Sequence, residues 1–239
     1  MISCSCPAST RAAEWEWTER NPVADYLRKQ GRRSPLKRKV RRERYLSHAE
    51  ETRLENAAAA YLALPGQPSQ RLERQMAVAA IWVSIDQGLR RGELTAALRD
   101  HVDRDKGQHG ELFVPRADGP LNDGPVKSEP RRIPLFERAR RYLDMLPVHP
   151  EAPWIFWHGR GQRYGKFDQA LDKLCALAGI TGLTWHDLRR TCGCRLLQDR
   201  RWPIERVSQF LGHQNVQVTR EHYAFLNVEH LHEEMKRSG

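Results

Sequence analysis

Several short stretches of this chain carry side chains suited to gripping and attacking a phosphate. In Thr184-Trp185-His186-Asp187-Leu188-Arg189-Arg190-Thr191, Thr184 and Asp187 have capping-box spacing, which predicts a helix beginning at Thr184. His186 then falls in the first turn, and Arg189 lies on the same face one turn further on. A helix N-terminus already attracts anions through its free N–H groups and its dipole. An imidazole and a guanidinium added there make a phosphate site, although the pair alone also suits an ordinary surface. Leu211-Gly212-His213 ends a stretch in which Pro203 suits a first turn and Ile204, Val207, Phe210 and Leu211 form an apolar stripe. Gly212 supplies a left-handed terminator and so fixes the position of His213, as a site residue or as a capping histidine. Tyr223 follows on a helix for which Asn215 is the N-cap, with Val216 and Thr219 on roughly its face. A phenol can attack phosphorus, or simply pack.

Upstream, Gly88-Leu89-Arg90-Arg91-Gly92-Glu93-Leu94 places Arg90 between two apolar helices. A cation there is costly unless it meets an anion, so Arg90 is a candidate phosphate clamp, with a buried carboxylate such as Glu93 as the alternative partner. Lys127 precedes a strand in Val126–Leu135. A lysine on a hairpin can swing into a site and donate a proton, or stay solvated.

Two guanidiniums, two imidazoles, a lysine and a phenol are what phosphoryl transfer needs when no metal takes part. The sequence has no carboxylate cluster suited to two-metal chemistry and no glycine-rich P-loop. In the pairs Cys4/Cys6 and Cys192/Cys194 one residue intervenes, whereas structural zinc sites usually want two to four. Cys175, Cys192 and Cys194 read as small, partly buried helix residues. Neither a cofactor nor a metal is expected.

The elements that must position these groups are mostly helical. Apolar periodicity and breakers predict helices near 48–64, 69–87, 92–98, 135–146, 165–178, 185–199, 203–211, 216–225 and 227–237. Ser47 and Glu50 form a capping box at the first of these. Strand candidates are Glu111–Pro115, Arg131–Leu135 and a third including His101 and Val102, while Trp154–Trp157 is apolar but of undecided type. The expected fold class is mainly α with a small antiparallel β-sheet (α+β). The stretch Arg28–Arg44 is basic, holds Pro35 and has Glu43 as its one acid, so it reads as a linker or arm. Residues 1–45 are therefore set apart from a domain over 46–239.

Composition narrows the partner. The 239 residues are 39% hydrophobic and 29% charged, which argues against wholesale disorder. Forty Lys and Arg against thirty Asp and Glu leave +10, a surplus that attracts polyanions, nucleic acid first among them. A basic enzyme with no nucleic-acid role also fits the charge. The near-apolar run Gln75–Ile85 is too short to span a bilayer, and Met1–Thr10 lacks the pattern of a secretory signal. A cytoplasmic protein without membrane contact is expected, nucleoid-associated if nucleic acid is its partner.

The order Arg90, Lys127, His186-x-x-Arg189, Leu211-Gly212-His213, Tyr223 resembles that of the tyrosine recombinase (phage integrase) family over roughly residues 45–237, most specifically from Thr184 to Tyr223. The resemblance implies a recombinase catalytic-domain-like fold and an enzyme that cleaves and rejoins double-stranded DNA through a 3′-phosphotyrosyl link. By similarity Tyr223 is the nucleophile, Arg90 and Arg189 hold the non-bridging oxygens, and His213 adds a hydrogen bond. His186 acts as general base or orienter, and Lys127 protonates the leaving 5′ oxygen, with Lys106 as a lesser substitute. Residues 11–27 resemble the last helix of the family's N-terminal core-binding domain and its exit, and the rest of that domain is not expected within this sequence. The 227–237 helix resembles a tail that docks on a neighbouring protomer. The implied partners are a homotetramer on DNA and accessory DNA-bending proteins. Two other readings are a DNA-binding remnant without cleavage and a relaxing topoisomerase with the same chemistry.

Overall fold

The computed structural model describes residues 43–115, 130–165, 167–223 and 225–226. These hold the helices α1 (His48–Ala63), α2 (Pro68–Gln87), α3 (Arg91–Thr95), α4 (Glu137–Asp144), α5 (Asp168–Ala178), α6 (Trp185–Gln198) and α7 (Ile204–Leu211), and a helical segment over 216–223 that we number α8. The strands are β1 (Val102–Asp103), β2 (Glu111–Val114), β3 (Arg131–Pro134), β4 (Trp157–His158) and β5 (Gln162–Arg163). The result is helical with a small antiparallel sheet, as expected from the residue pattern.

Helix α2 is the centre of the core. From Met76 to Ile85 every side chain is buried, because α1, α4, α5 and α6 pack around it. The continuous apolar run that is too short for a membrane is thus a helix surrounded by other helices. Ser47 caps α1 as its spacing predicts, accepting from Glu50 N at 3.2 Å while the Glu50 carboxylate accepts from Ser47 N at 3.0 Å. The sheet runs β1-β2-β3, with Val102 opposite Leu112 and Leu112 opposite Ile133. These three side chains and Val114 enter the core, and the alternate positions face outward.

Three elements differ from the sequence pattern. The helix expected over 92–98 stops at Thr95. Tertiary pairing takes over there: Leu98 forms a β-bridge with Trp154, and Ile155 N donates to Ala97 O at 3.0 Å. The undecided Trp154–Trp157 piece is this bridge followed by β4, which pairs with β5. The helix expected from 165 begins at Asp168, because Phe167 is drawn into an aromatic stack between Tyr164 and Trp185. His101 belongs to a 3₁₀ turn, so the third strand starts at Val102. Residues 1–42, the loop Ala117–Pro125, Lys127 and the 227–237 tail lie outside the described residues. Among the described residues no helix is long and apolar enough to cross a membrane.

Candidate active site

Helix α6 supplies two of the expected groups. Thr184 is its N-cap, one residue before the helix, and the buried Asp187 carboxylate accepts from Thr184 N at 2.8 Å and Thr184 Oγ1 at 2.7 Å. Asp187 also accepts from Arg190 Nη1 at 3.0 Å. The helix start is thereby locked, and with it the direction of His186 and Arg189.

Arg189 is 3% exposed. Its Nη1 donates to Gly88 O and its Nη2 to Leu211 O, each at 2.7 Å. Both acceptors lie where a helix ends. Gly88 closes α2 at φ 59, and Gly212 closes α7 at φ 70. After Gly212 the chain reverses: His213 N donates to Ser208 O at 3.0 Å and Gly212 N to Gln209 O at 3.1 Å, a Schellman arrangement. A side chain at Gly212 would also meet Arg131, whose Nη1 lies 2.6 Å from the Cβ position. Burial, and next the neighbouring Arg90, draw the Arg189 pKa down to about 10.

Arg90 precedes α3 and turns back toward Gly212 O, 3.3 Å from its Nη2, while its Nη1 donates to Glu93 Oε1 at 3.0 Å. The carboxylate partner considered for Arg90, Glu93, is therefore the one it meets. Glu93 is the hub. It accepts from Arg90 N at 2.8 Å, from Arg131 Nη1 and Nη2 at 3.0 Å each, and lies 3.9 Å from Arg189 Nη1. Burial opposes its ionisation, but the bidentate Arg131 and the other two guanidiniums prevail and hold its carboxyl at about 2.

His213 Nδ1 is 2.7 Å from Thr219 Oγ1, so the expected face of α8 holds the ring. The ring also stacks on His222, with centroids 6.0 Å apart. Burial, then Arg189 and Arg90, push the His213 pKa down to about 3. His186 lies exposed at the rim. Partial loss of its water, then Arg189 and Arg190, lower it to about 4. Both imidazoles are neutral at pH 7 and can accept a proton.

Tyr223 on α8 is 5% exposed, and burial raises its pKa. Its phenol lies on Gly193 of α6: a Cβ built there would come 2.0 Å from the Tyr223 hydroxyl and 2.2 Å from its Cζ. Arg90, His186, Arg189, His213 and Tyr223 line one cavity of about 420 Å³, together with Arg190, Gln214, Val218 and His222. Five of the six expected residues thus share one cavity, and the sixth, Lys127, lies outside the described residues. Lys106 sits on an exposed turn, 3.8 Å from Glu111, and is not part of the lining.

Sequence reasoning missed three contributors. Arg131 was placed only as a strand residue, His222 carried no signal, and Gly193 was overlooked. Gly193 did carry one, because a glycine inside a helix costs roughly 1 kcal/mol against alanine and asks for a packing reason.

The cavity thus lies in a mostly helical domain with a small antiparallel sheet. The phage integrase family model matches residues 44–230, and the chain belongs to that family. The structure is similar to XerA recombinase, with a TM-score of 0.61 and 23% identity, over 81% of this chain and 63% of that one. It is also similar to the Tn1549 transposon integrase in complex with circular intermediate DNA (TM-score 0.58, 18% identity, 91% of this chain and 71% of that one). A third likeness is to a lambda integrase dimer bound to a COC′ core site (0.59, 16%, 90% and 55%). No curated protein sequence matches the chain.

Proposed function

We propose that this chain breaks and rejoins DNA strands through a covalent link to Tyr223. The observation that carries this reading is the single cavity into which α6, α8, the α2–α3 turn and the α7 terminus bring a phenol, three guanidiniums and three imidazoles, of which His186 and His213 are neutral at pH 7. The phenol is protonated at pH 7, so attack on a phosphorus needs a base, and the neutral His186 ring at the cavity mouth can take that proton. Tyr223 Oη then bonds to phosphorus as the bond to the 5′ oxygen breaks, and the leaving oxygen takes up a proton. Lys127 is the proposed donor of that proton. Arg90 and Arg189 meet the charge on the non-bridging oxygens, and His213 adds a hydrogen bond. The phosphotyrosyl link conserves the bond energy, so attack by a 5′-hydroxyl reverses it without a nucleotide.

The substrate of the reading is double-stranded DNA, and strand exchange requires a homo-oligomer, proposed as a tetramer, on that DNA. The proposed domain division places a core-binding-type helix and a basic linker over 1–45, and the catalytic unit with a C-terminal tail helix over 46–239. The test is covalent trapping in the source cell: lysate is denatured, DNA still attached to the protein is recovered and sequenced, and Tyr223→Phe serves as control. Tyrosine-dependent adducts at a few loci are expected. Equal adduct from both proteins would remove Tyr223 as the nucleophile, and no adduct from either would remove the enzyme reading.

A further inference from the structure

We propose that Arg163 is a second phosphate-binding residue, holding a backbone phosphate of bound DNA beside the one in the Tyr223 cavity. The inference rests on the reading of DNA as substrate and adds a binding residue outside the cavity lining.

Among the described arginines that are not exposed, Arg163 has an unusual charge environment. Arg91, Arg104, Arg131, Arg138, Arg190 and Arg195 each face a carboxylate within an ion pair. Arg74 and Arg99 lack that, but each donates to a backbone carbonyl, at 2.6 and 2.8 Å. Arg163 has neither kind of acceptor among the described residues. Its Nη2 donates to the hydroxyl of Thr95 at 3.0 Å, its guanidinium carbon lies 5.5 Å from the centre of the Trp154 ring, and its Nε is buried without a partner. Burial lowers its pKa, a property shared with Arg189 in the cavity. A guanidinium partly stripped of water, held in place by a neutral hydroxyl and an aromatic face, is costly until an anion meets it. A phosphate oxygen supplies both the charge and the missing acceptor.

Its position ties it to the cavity from two sides. Thr95 ends α3, and Arg90 stands just before the start of that helix. At about 1.5 Å per residue the two lie within roughly 8 Å along the helix axis. On the other side Tyr164 stacks on Phe167 at 4.3 Å and Phe167 on Trp185 at 5.6 Å, and Trp185 adjoins His186. The Arg91–Asp168 pair, at 2.9 Å, fastens the starts of α3 and α5 together between them. β5 is thus fixed to the elements that carry Arg90 and His186, and in the proposal a duplex seated on the cavity extends over this linked part of the surface to Arg163.

The test is the salt dependence of DNA binding by the full chain, read as fluorescence anisotropy of a labelled duplex of random sequence. Each phosphate contact contributes a slope of about 0.9 to log Kd against log salt. Arg163→Gln is expected to lower the slope by about that amount. Arg163→Lys keeps the charge and is expected to keep the slope, and Arg104→Gln, whose partner is Asp144, serves as the distant control. A second measurement uses the wild-type chain: phenylglyoxal labelling of Arg163, read by mass spectrometry, is expected to be suppressed by the duplex. An unchanged slope in Arg163→Gln, or undiminished labelling of a DNA-saturated wild type, overturns the Arg163 inference and leaves the enzyme reading standing. A wild type that does not bind duplex at all overturns both.

Discussion

Glu93 offers a sharp test of how the site is held together. Its side chain has no solvent exposure and lies against Arg90, Arg131 and Arg189. The carboxyl titrates at about 2 rather than at 4.5, and at about 1.4 kcal/mol per pH unit that difference is worth roughly 3 kcal/mol of stability. The folded value is the lower one, so this stability is present above about pH 4.5 and fades as the pH falls toward about 2. Glu93→Gln removes the charge at nearly constant volume and leaves the guanidiniums facing one another. A loss of about 3 kcal/mol is expected at pH 7, which lowers Tm by about 6–12 °C in a chain of this size. The assay is thermal unfolding of both proteins at several pH values. The gap between them is expected to be full at pH 7 and to shrink in acid, where wild-type Glu93 also becomes neutral. A gap below about 1 kcal/mol at pH 7, or one of the same size in acid, would refute the hub as the organiser of these cations.

Three further perturbations follow from the geometry. Gly193→Ala puts a methyl group where the Tyr223 phenol lies; adduct formation should drop by about 100-fold, as a displacement on the order of 1 Å can produce, and an undiminished rate would show that the phenol does not depend on that slot. Because His186 and His213 titrate at about 4 and about 3, the unfolded chain takes up these protons first, so both rings cost stability as the pH falls below about 6.5. In NMR titration of the DNA-free protein neither ring should titrate near 6.5, and either one doing so would contradict the arrangement. Thr191→Val strands Leu46 N, which donates to Thr191 Oγ1 at 2.9 Å inside the core; the expected loss is about 1–3 kcal/mol, read from the urea midpoint, and an unchanged midpoint would count against that contact.

What the residues disclose on their own divides along physical lines. The α6 and α7 boundaries are local features: Thr184 with Asp187, and Gly212 after an apolar stripe, act within one or two turns and are legible without a structure. Tyr223, His213 and His186 could be grouped because their order and spacing repeat a family pattern. The hub could not be grouped in that way. Glu93 and Arg131 are separated by the end of α3, a 3₁₀ turn and the strands β1 and β2, and only the β2–β3 register brings the Arg131 fork onto the carboxylate. The early end of α3 and the β4–β5 hairpin are not legible in the sequence for a related reason. Leu98 and Trp154 are local helix and loop residues until a bridge between them overrides their propensity.

The same geometry explains how a site this cationic is held together. Three guanidiniums converge on one carboxylate, Glu93, which leaves a surplus of two positive charges. Further carboxylates would cancel that surplus and with it the attraction for a phosphate. The protein instead uses the ends of helices. The carbonyls of Gly88, Leu211 and Gly212 accept from Arg189 and Arg90 at the C-termini of α2 and α7, where each helix carries roughly half a negative charge. Dipole ends steady the guanidiniums without neutralising them. Glycines at those two ends are therefore part of the chemistry, because a left-handed closure turns the last carbonyls toward Arg189 instead of continuing the helix past it. Gly212 adds a second requirement, since any side chain there would displace Arg131 from Glu93. One residue thus ends a helix, aims His213 and leaves room for the hub.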